Sequence, residues 1–457
     1  MFRWIKYRAY PEPDEEVVLD AHRHNARLIR NLALEHRQLA WKHRKVSVSS
    51  RGQAADIKEL AAAYDWLAVT PQQVLQQAAA LVDDAFERFW SGQNGYPARA
   101  RKSSAGSFVM PQRATFTKSS RRWGTVTLPG AQAFQLGRRR LRVRVDRPLP
   151  GRATGRISYA READGTWWVS ILCEVRDRFP TKHRKPGTAV GNDMGVAVAV
   201  ATSDDESFTF SAVTAGEVER MRRLDQQLAR QRTQRKKCKR KGPSRNERKT
   251  LKALNGIKAR ARRRRHDFAH QVSSSLVRDY ELIGFENLNI AGMTASAAGT
   301  VEEPGTNVRQ KAGLNREILN VGWGEIQSLT VQKANNHGSH VIKVPAPGTS
   351  QTCPDCGHRD PKSRVTRSRF VCTACGYVGH ADHGAAKIVK KRMLKIALAK
   401  GIVLGVTEGT PVTACDPPKD GSVETPATPV DRVEPCSSAG REAGIKLTGH
   451  QTEPVAA

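Results

Sequence analysis

Acidic residues are scarce in this chain. Of 457 residues, 44 are Asp or Glu and 76 are Lys or Arg, a formal net charge of +32. A chain this basic points to nucleic acid, an anionic membrane surface or a large acidic protein as partner. Long apolar runs are missing: no stretch of about 18 apolar residues occurs, so no membrane-spanning segment is expected. The start, Met1-Phe2-Arg3-Trp4-Ile5-Lys6-Tyr7-Arg8, lacks the apolar core of a signal peptide. The expectation is a soluble, cytoplasmic protein with no membrane partner. Internal repeats are absent, and Cys173, Cys238, Cys415 and Cys436 are isolated, which argues against a disulfide framework. Hydrophobic residues make up 39% of the chain, enough for packed cores, and the length suggests roughly two to four domains.

The charge is concentrated. Between Arg220 and Arg265, 21 lysines and arginines face two acids, Asp225 and Glu247. Leu224 and Leu228 before Gly242-Pro243, and Leu251, Leu254 and Ile257 after it, keep helical spacing. That predicts two basic helices joined by a turn. A block of like charge repels itself unless an anion compensates it, and a phosphate backbone does so with release of counterions. Arg235, Lys236, Lys237, Arg260, Arg262, Arg263, Arg264 and Arg265 are the candidate nucleic-acid contacts. After Lys400 the sign reverses, and seven prolines interrupt any periodicity; residues 401–457 read as a disordered tail.

Residues 2–10 suggest a short strand, and 14–90 read as helical. The clearest helix follows Thr70-Pro71, with Thr70 as cap and a core stripe through Val74, Ala78, Leu81, Ala85 and Phe89. From Ser107 to Val175 the pattern is β, with Asp164-Gly165 as a hairpin turn. A third region alternates strands and helices: a strand into Asp193, another over Val196–Ala201, a helix over 266–279, a strand into Glu286, a helix over Asn315–Asn335 and a strand over His340–Val344. This predicts an α/β layer with a mixed sheet.

Cys353, Cys356, Cys372 and Cys375 form C-x2-C, fifteen residues, C-x2-C. This is zinc-ribbon spacing, with a glycine after each pair, and four thiolates leave no open position for water. A structural Zn2+ is expected there. Asp193 and Glu286 each end an apolar strand, and Asp382 opens a helix after the ribbon. Carboxylates at adjacent strand ends can share divalent cations; two Mg2+ ions about 4 Å apart can activate water and stabilise a leaving oxygen.

At these residues the chain resembles the TnpB family of RNA-guided nucleases and the miniature type V CRISPR effectors that share its architecture. The resemblance runs from about residue 2 to 392. It is carried by Tyr7-Arg8-Ala9-Tyr10-Pro11, Gln73-Val74-Leu75-Gln76-Gln77-Ala78 and Gly95-Tyr96-Pro97. It continues through Ser107-Phe108, Pro111-Gln112, Gly191-Asn192-Asp193-Met194-Gly195 and Phe285-Glu286-Asn287-Leu288-Asn289 with Gly292-Met293. Gly322-Trp323-Gly324-Glu325, Thr349-Ser350-Gln351-Thr352-Cys353, and Ala381-Asp382 with Ala385-Ala386 complete it.

The resemblance implies a multidomain α+β protein. A wedge strand at 1–12 and a β-barrel wedge domain at 104–185 flank a helical recognition domain at 13–103. A RuvC-like nuclease domain of RNase H fold spans 186–348, with basic helices at 217–280. A zinc ribbon (349–378), a last nuclease helix (379–400) and the tail (401–457) follow. It further implies that Asp193, Glu286 and Asp382 are catalytic, and that a guide RNA pairs with target double-stranded DNA beside a short motif read by the protein. The protein would act as a monomer or a homodimer on the RNA. Three positions depart from the family pattern: Asn192, where an apolar residue usually precedes the aspartate, and Gly384 and Ile388, where asparagines are common. The competing readings are a guided DNA-binding protein with weak or no cleavage and an unguided zinc-ribbon RNA-binding protein.

Overall fold

A computed structural model describes residues 2–405 except 102–104, 138–139, 176–179, 181, 300–302 and 403. The chain divides into two units, Met1–Glu408 and Gly409–Ala457. The second unit, and with it most of the tail read as disordered, lies outside the described residues.

Strand β1 (Phe2–Ala9) leads into α1 (Pro13–Arg44). A proline opens α1, Glu15 reaches back to the Glu12 amide at 2.9 Å, and basic residues fill the last turn, complementing the helix dipole at both ends. Short α2 (Ala54–Ala63) and α3 (Asp65–Ala68) precede α4 (Gln72–Trp90). Thr70 does not cap α4 as its sequence suggested; Pro71 takes that place. The Thr70 hydroxyl turns inward, where the Asn25 amide donates to it at 2.8 Å and His22 Nδ1 lies 3.0 Å away. The expected stripe is core only over its first turns, through Val74, Leu75, Ala78 and Val82. Leu81 is 36% exposed, and Phe86 and Phe89 open onto a cavity.

Strands β2 (Gly106–Met110), β3 (Phe116–Lys118), β4 (Trp123–Thr127), β5 (Arg140–Arg144), β6 (Arg152–Arg161) and β7 (Trp167–Glu174) join β1 in an antiparallel sheet ordered β2-β6-β7-β1-β5-β4-β3. Tyr159 on β6 donates to the carbonyl of Thr127 on β4 at 2.5 Å. Four inter-strand steps in a flat sheet would separate those strands by about 19 Å, so the sheet curves back on itself. Between β2 and β3 the chain closes the ring: the Ala114 amide donates to Gly155 of β6, and Thr115 accepts from Thr127 of β4. Side chains inside this sheet and the buried faces of α1 and α4 belong to one apolar cluster, with Tyr7, Phe108 and Tyr159 beside Leu19, Ile29 and Leu75.

The next region begins with β8 (Ala189–Asp193), β9 (Val200–Thr202) and β10 (Ser207–Phe208), an antiparallel meander. The strand expected over Val196–Ala201 is shorter, because residues 194–199 form the turn that leaves β8. Helices α5 (Ala215–Lys237) and α6 (Arg245–Asp279) are the expected basic pair, capped by Thr214 and Ser244. The helix anticipated over 266–279 is the last part of α6. Strand β11 (Leu282–Glu286), the short α7 (Ile290–Met293), α8 (Val308–Val321), α9 (Trp323–Ala334) and β12 (His340–Val344) follow. The helix expected over Asn315–Asn335 is two helices: Gly322 sits at φ +78°, ends α8 and starts α9, a conformation glycine adopts without strain. The sheet order is β10-β9-β8-β11-β12, with β8, β11 and β12 parallel.

The chain ends its described part with a small hairpin of β13 (Arg369–Val371) and β14 (Val378–His380), then α10 (Ala381–Ala399). Helices α6, α8 and α9 cover one face of the five-stranded sheet and α10 the other. Among the described residues no helix is long and apolar enough to cross a membrane.

His22 sits where α1 meets the antiparallel sheet, fully buried; its Nε2–H donates to the Pro129 carbonyl at 2.8 Å. Burial lowers its pKa from 6.5 to about 4. The ring is therefore neutral when folded, while the unfolded chain takes up its proton more readily. Its contribution to stability is complete above about pH 6.5 and is lost as pH falls toward 4, up to roughly 3 kcal/mol. Denaturant midpoints at pH 7 and pH 4.5 should diverge more for the native chain than for His22→Phe; equal divergence contradicts this assignment.

Candidate active site and metal centre

Strands β8 and β11 are parallel and in register, with Gly191 opposite Gly284 and Asn192 opposite Phe285. Alternation along a strand puts Gly191 and Asp193 on one face of β8, and Gly284 and Glu286 on the same face of β11. That is the face covered by α10, and the glycines set how closely it lies. A Cβ at Gly191 would stand 2.2 Å from the Ala386 carbonyl oxygen and 2.4 Å from the Lys390 nitrogen; one at Gly284 would stand 2.8 Å from the Met393 sulfur. The helix backbone therefore rests on bare strand at Gly191, and its Met393 side chain fills the space over Gly284, with Ala385 and Ala386 buried. Its first turn, carrying Asp382, is brought to the strand ends where Asp193 and Glu286 emerge.

The carboxylates sense one another. Burial, then the charges of Glu286 and Asp382, push the Asp193 pKa up to about 7, against an opposing pull from Arg364 and the Met194 amide. Glu286, 6% exposed, is raised by burial, while the Thr349 hydroxyl and the charge of Arg392 act the other way. Thr349 Oγ1 donates to Glu286 Oε1 at 2.5 Å, and the Gln327 amide donates to the Glu286 carbonyl at 3.2 Å. Trp323 Nε1 donates to the Gly195 carbonyl at 3.0 Å, tethering the turn after Asp193. Arg364, between the two cysteine pairs, reaches Asp382 at 3.3 Å. The oxygens of the three acids do not all lie within 4.8 Å of one another as the cysteine sulfurs do, but an all-oxygen donor set that raises the Asp193 pKa suits a hard divalent cation, which would relieve the repulsion.

Asn192 faces away from the acids. Its amide donates to the Gly284 carbonyl at 2.9 Å across to β11, and its Oδ1 is buried without a partner. The polar residue in place of an apolar one thus stitches the two acid-bearing strands together. The sequence reading had not singled out Arg364, nor the glycines as the points of helix approach. The glycines did leave a signal, Gly-x-Asp and Gly-x-Glu at the ends of two apolar strands.

The four ribbon cysteines form a zinc-ribbon-like cluster. Among the described residues they are the group whose ligand atoms all lie within 4.8 Å of one another. Cys353 and Cys375 Sγ atoms are 3.6 Å apart, as are those of Cys356 and Cys372. Four thiolates about 2.3 Å from one zinc would stand about 3.8 Å apart, so the set fits that ion. The knuckles match: Gly357 (φ +77°) donates back to Cys353 and Gly376 (φ +75°) to Cys372. His358, His380 and His383 are not part of the cluster.

The candidate nucleic-acid contacts fall into two groups. Lys236 and Lys237 are exposed at the end of α5. The arginines of α6 largely serve the protein itself. Arg262 and Arg263 pair with buried Glu162 at 2.5 and 3.1 Å, Arg263 also with Asp164 at 3.2 Å, and Arg260 and Arg264 with Glu217 at 3.1 and 2.5 Å. Arg265 donates to the Leu319 carbonyl at 3.1 Å, and Arg235 lies 3.4 Å from buried Glu247.

Cys353→Ser, or treatment with a strong chelator, should release about one zinc per chain and expose residues 353–377 to proteolysis. The core shared by α1, α4 and the seven-stranded sheet should stay protected, because the ribbon residues form a separate cluster. Metal analysis with limited proteolysis checks this; unchanged protection of the ribbon after zinc loss refutes it.

Comparison with known proteins agrees with these features. Residues 170–297 match a family model described as a probable transposase, and residues 323–389 match the Cas12f1-like TNB domain. A putative RNA-guided DNA endonuclease of Streptomyces pristinaespiralis is 28% identical over 84% of this chain and 88% of its own length. Among solved structures, a Cas12f1–sgRNA–target DNA complex aligns at 12% identity over 85% of this chain and 98% of that one, with a TM-score of 0.49. The putative RNA-guided DNA endonuclease InsQ of Escherichia coli (strain K12) is 30% identical over 70% of this chain and 74% of its own length. The chain belongs to the TnpB family of RNA-guided DNA endonucleases.

Proposed function

We propose that this protein is an RNA-guided DNA endonuclease whose guide RNA pairs with target DNA beside a short motif read by the protein, and whose single RuvC-like site is formed by Asp193, Glu286 and Asp382. Three acids gathered by the packing of α10 on Gly191 and Gly284 are the observation that carries this reading. A sheet with two antiparallel strands on one side of β8 and two parallel ones on the other supports an RNase H-type core. In this reading residues 13–103 are the recognition lobe, and 1–12 with 104–185 the wedge. Residues 186–348 and 379–400 are the nuclease domain, and 349–378 the ribbon.

Asp193, Glu286 and Asp382 would hold Mg2+. Two such ions would supply an activated water and charge stabilisation at the leaving oxygen. The chain's own contribution is preorganisation. Thr349 fixes one oxygen of Glu286, Trp323 holds the turn after Asp193, and Arg364 balances part of the negative charge. Lys236 and Lys237 offer phosphate contacts, and Arg260, Arg262, Arg263 and Arg264, oriented by their ion pairs and still partly exposed, can add to them. All three carboxylates are retained in the sequence, which favours cutting over guided binding without cleavage.

Asp193→Ala should lower plasmid cleavage in Mg2+ by roughly a hundred- to a thousandfold or more, the scale of losing one preorganised electrostatic group. Guided binding, read by gel shift, should persist; loss of both would mean that Asp193 supports the fold rather than the chemistry. Gly384 is buried, but a Cβ there meets nothing within 4 Å, so Gly384→Asn is not blocked at its first side-chain atom and adds a polar group two residues after Asp382. Cleavage should rise between about two- and tenfold, at most ~1.4 kcal/mol in barrier. A fall in rate, with unchanged unfolding temperature, would show that glycine serves the site here.

A further inference from the structure

The far end of the helical region carries a cavity that nuclease chemistry does not use. The last turns of α1 and α4 enclose about 320 Å3 lined by Arg37, Trp41, Phe86, Phe89, Trp90 and Tyr96, among others. Trp41, Trp90 and Tyr96 are 58%, 70% and 55% exposed. Phe86 stacks on Trp90 at 5.4 Å, and Tyr96 meets Phe86 and Phe89 edge-on at 5.7 and 5.3 Å. The rings thus hold one another in place without being covered. Arg37 adds a charged group to this lining. It is 8% exposed, donates to Gln53 at 3.2 Å and pairs with Asp83 at 2.6 Å, while its Nη2 is buried with no hydrogen-bond partner. Lys42, His43, Arg44 and Lys45, which follow Trp41 in the chain, are exposed, with Lys45 Nζ 6.0 Å from the centre of the Trp41 ring; Arg88 is exposed on α4, as are the acids Asp84 and Glu87.

An exposed cluster of large aromatics needs an occupant. A second copy docking here about a two-fold axis would set the Lys42–Lys45 run against its own symmetry mate. A free phosphate would meet Asp83, Asp84 and Glu87. An unpaired base suits the rings and the arginine: its face stacks on the rings, a carbonyl oxygen gives Arg37 an acceptor, and its flanking phosphates can turn toward Lys42–Lys45 and away from the acids of α4. Displaced DNA would cover the patch only during cutting, whereas a guide RNA carried throughout keeps it covered. We propose that this cavity binds an unpaired base of the guide RNA, anchoring the RNA to the helical region away from the catalytic acids. The proposal rests on the guided reading above.

The test uses the full chain purified with RNA transcribed from its native flanking DNA. The complex is irradiated and its crosslinks are mapped by mass spectrometry; RNA affinity is measured for the native chain, Trp41→Ala and Trp90→Ala. A crosslink from one nucleotide to Trp41, Phe89, Trp90 or Tyr96 is expected. Each variant should lose affinity by roughly fivefold to a hundredfold, with an unchanged unfolding temperature. A discrete RNA and intact guided cleavage, with no such crosslink and unchanged affinity, overturn this proposal alone. So does a crosslink to displaced DNA instead of RNA, or a dimer in light scattering that Trp90→Ala dissociates while RNA affinity holds. A heterogeneous mixture of cellular RNAs overturns the guided reading and this proposal with it.

Discussion

The arrangement of the three acids depends on how closely a helix lies on its sheet. At Gly191 no side chain stands between α10 and the strand, and a methyl group there would overlap the helix backbone itself, while at Gly284 the Met393 and Val389 side chains of the helix occupy the space. Flexible side chains can rotate out of a clash, but backbone cannot, so the spacing is enforced rather than preferred. One end of the helix then brings Asp382 toward Asp193 and Glu286, acids that lie on three separate segments of the sequence. The raised Asp193 pKa follows directly, since burial and like charge both oppose ionisation. The fold thus maintains an electrostatic conflict of the kind that a bound cation would relieve.

A second constraint is the management of positive charge. A few buried or half-buried acids organise many cations. Glu162 gathers Lys6, Arg262 and Arg263, joining β1, the β6–β7 hairpin and α6. Glu217 gathers Arg260 and Arg264, tying the start of α5 to α6. These pairs spend part of the charge inside the protein and leave the exposed lysines at the end of α5 for an external polyanion. Removing one such acid would leave several cations uncompensated, a larger loss than any single surface pair represents.

The helical region and the seven-stranded sheet are fused through a common core. His22 shows how: one ring nitrogen faces a loop of the sheet and the other faces the turn before α4. A sequence boundary near residue 103 therefore marks a change of secondary structure rather than a break in packing. The ribbon, by contrast, keeps its own small cluster and meets the rest through α10 and the Arg364–Asp382 contact.

Local chemistry determined much by itself. Four cysteines at ribbon spacing were legible because metal binding requires that residue type in that pattern, and two strand-ending acids and a third at a helix start were legible from the apolar runs beside them. The basic helix pair was legible from periodicity and its Gly-Pro break. Tertiary structure decided what depends on partners distant in sequence. Thr70 looked like a helix cap until His22 and Asn25 claimed its hydroxyl. Arg260, Arg262, Arg263 and Arg264 read as phosphate contacts, and the fold adds ion pairs to Glu162, Asp164 and Glu217 that the sequence did not show. Gly322 divided what periodicity read as one helix. In each case a hydrogen bond, an ion pair or a backbone angle added to or overrode a local preference, and a single sequence carries no direct record of those distances.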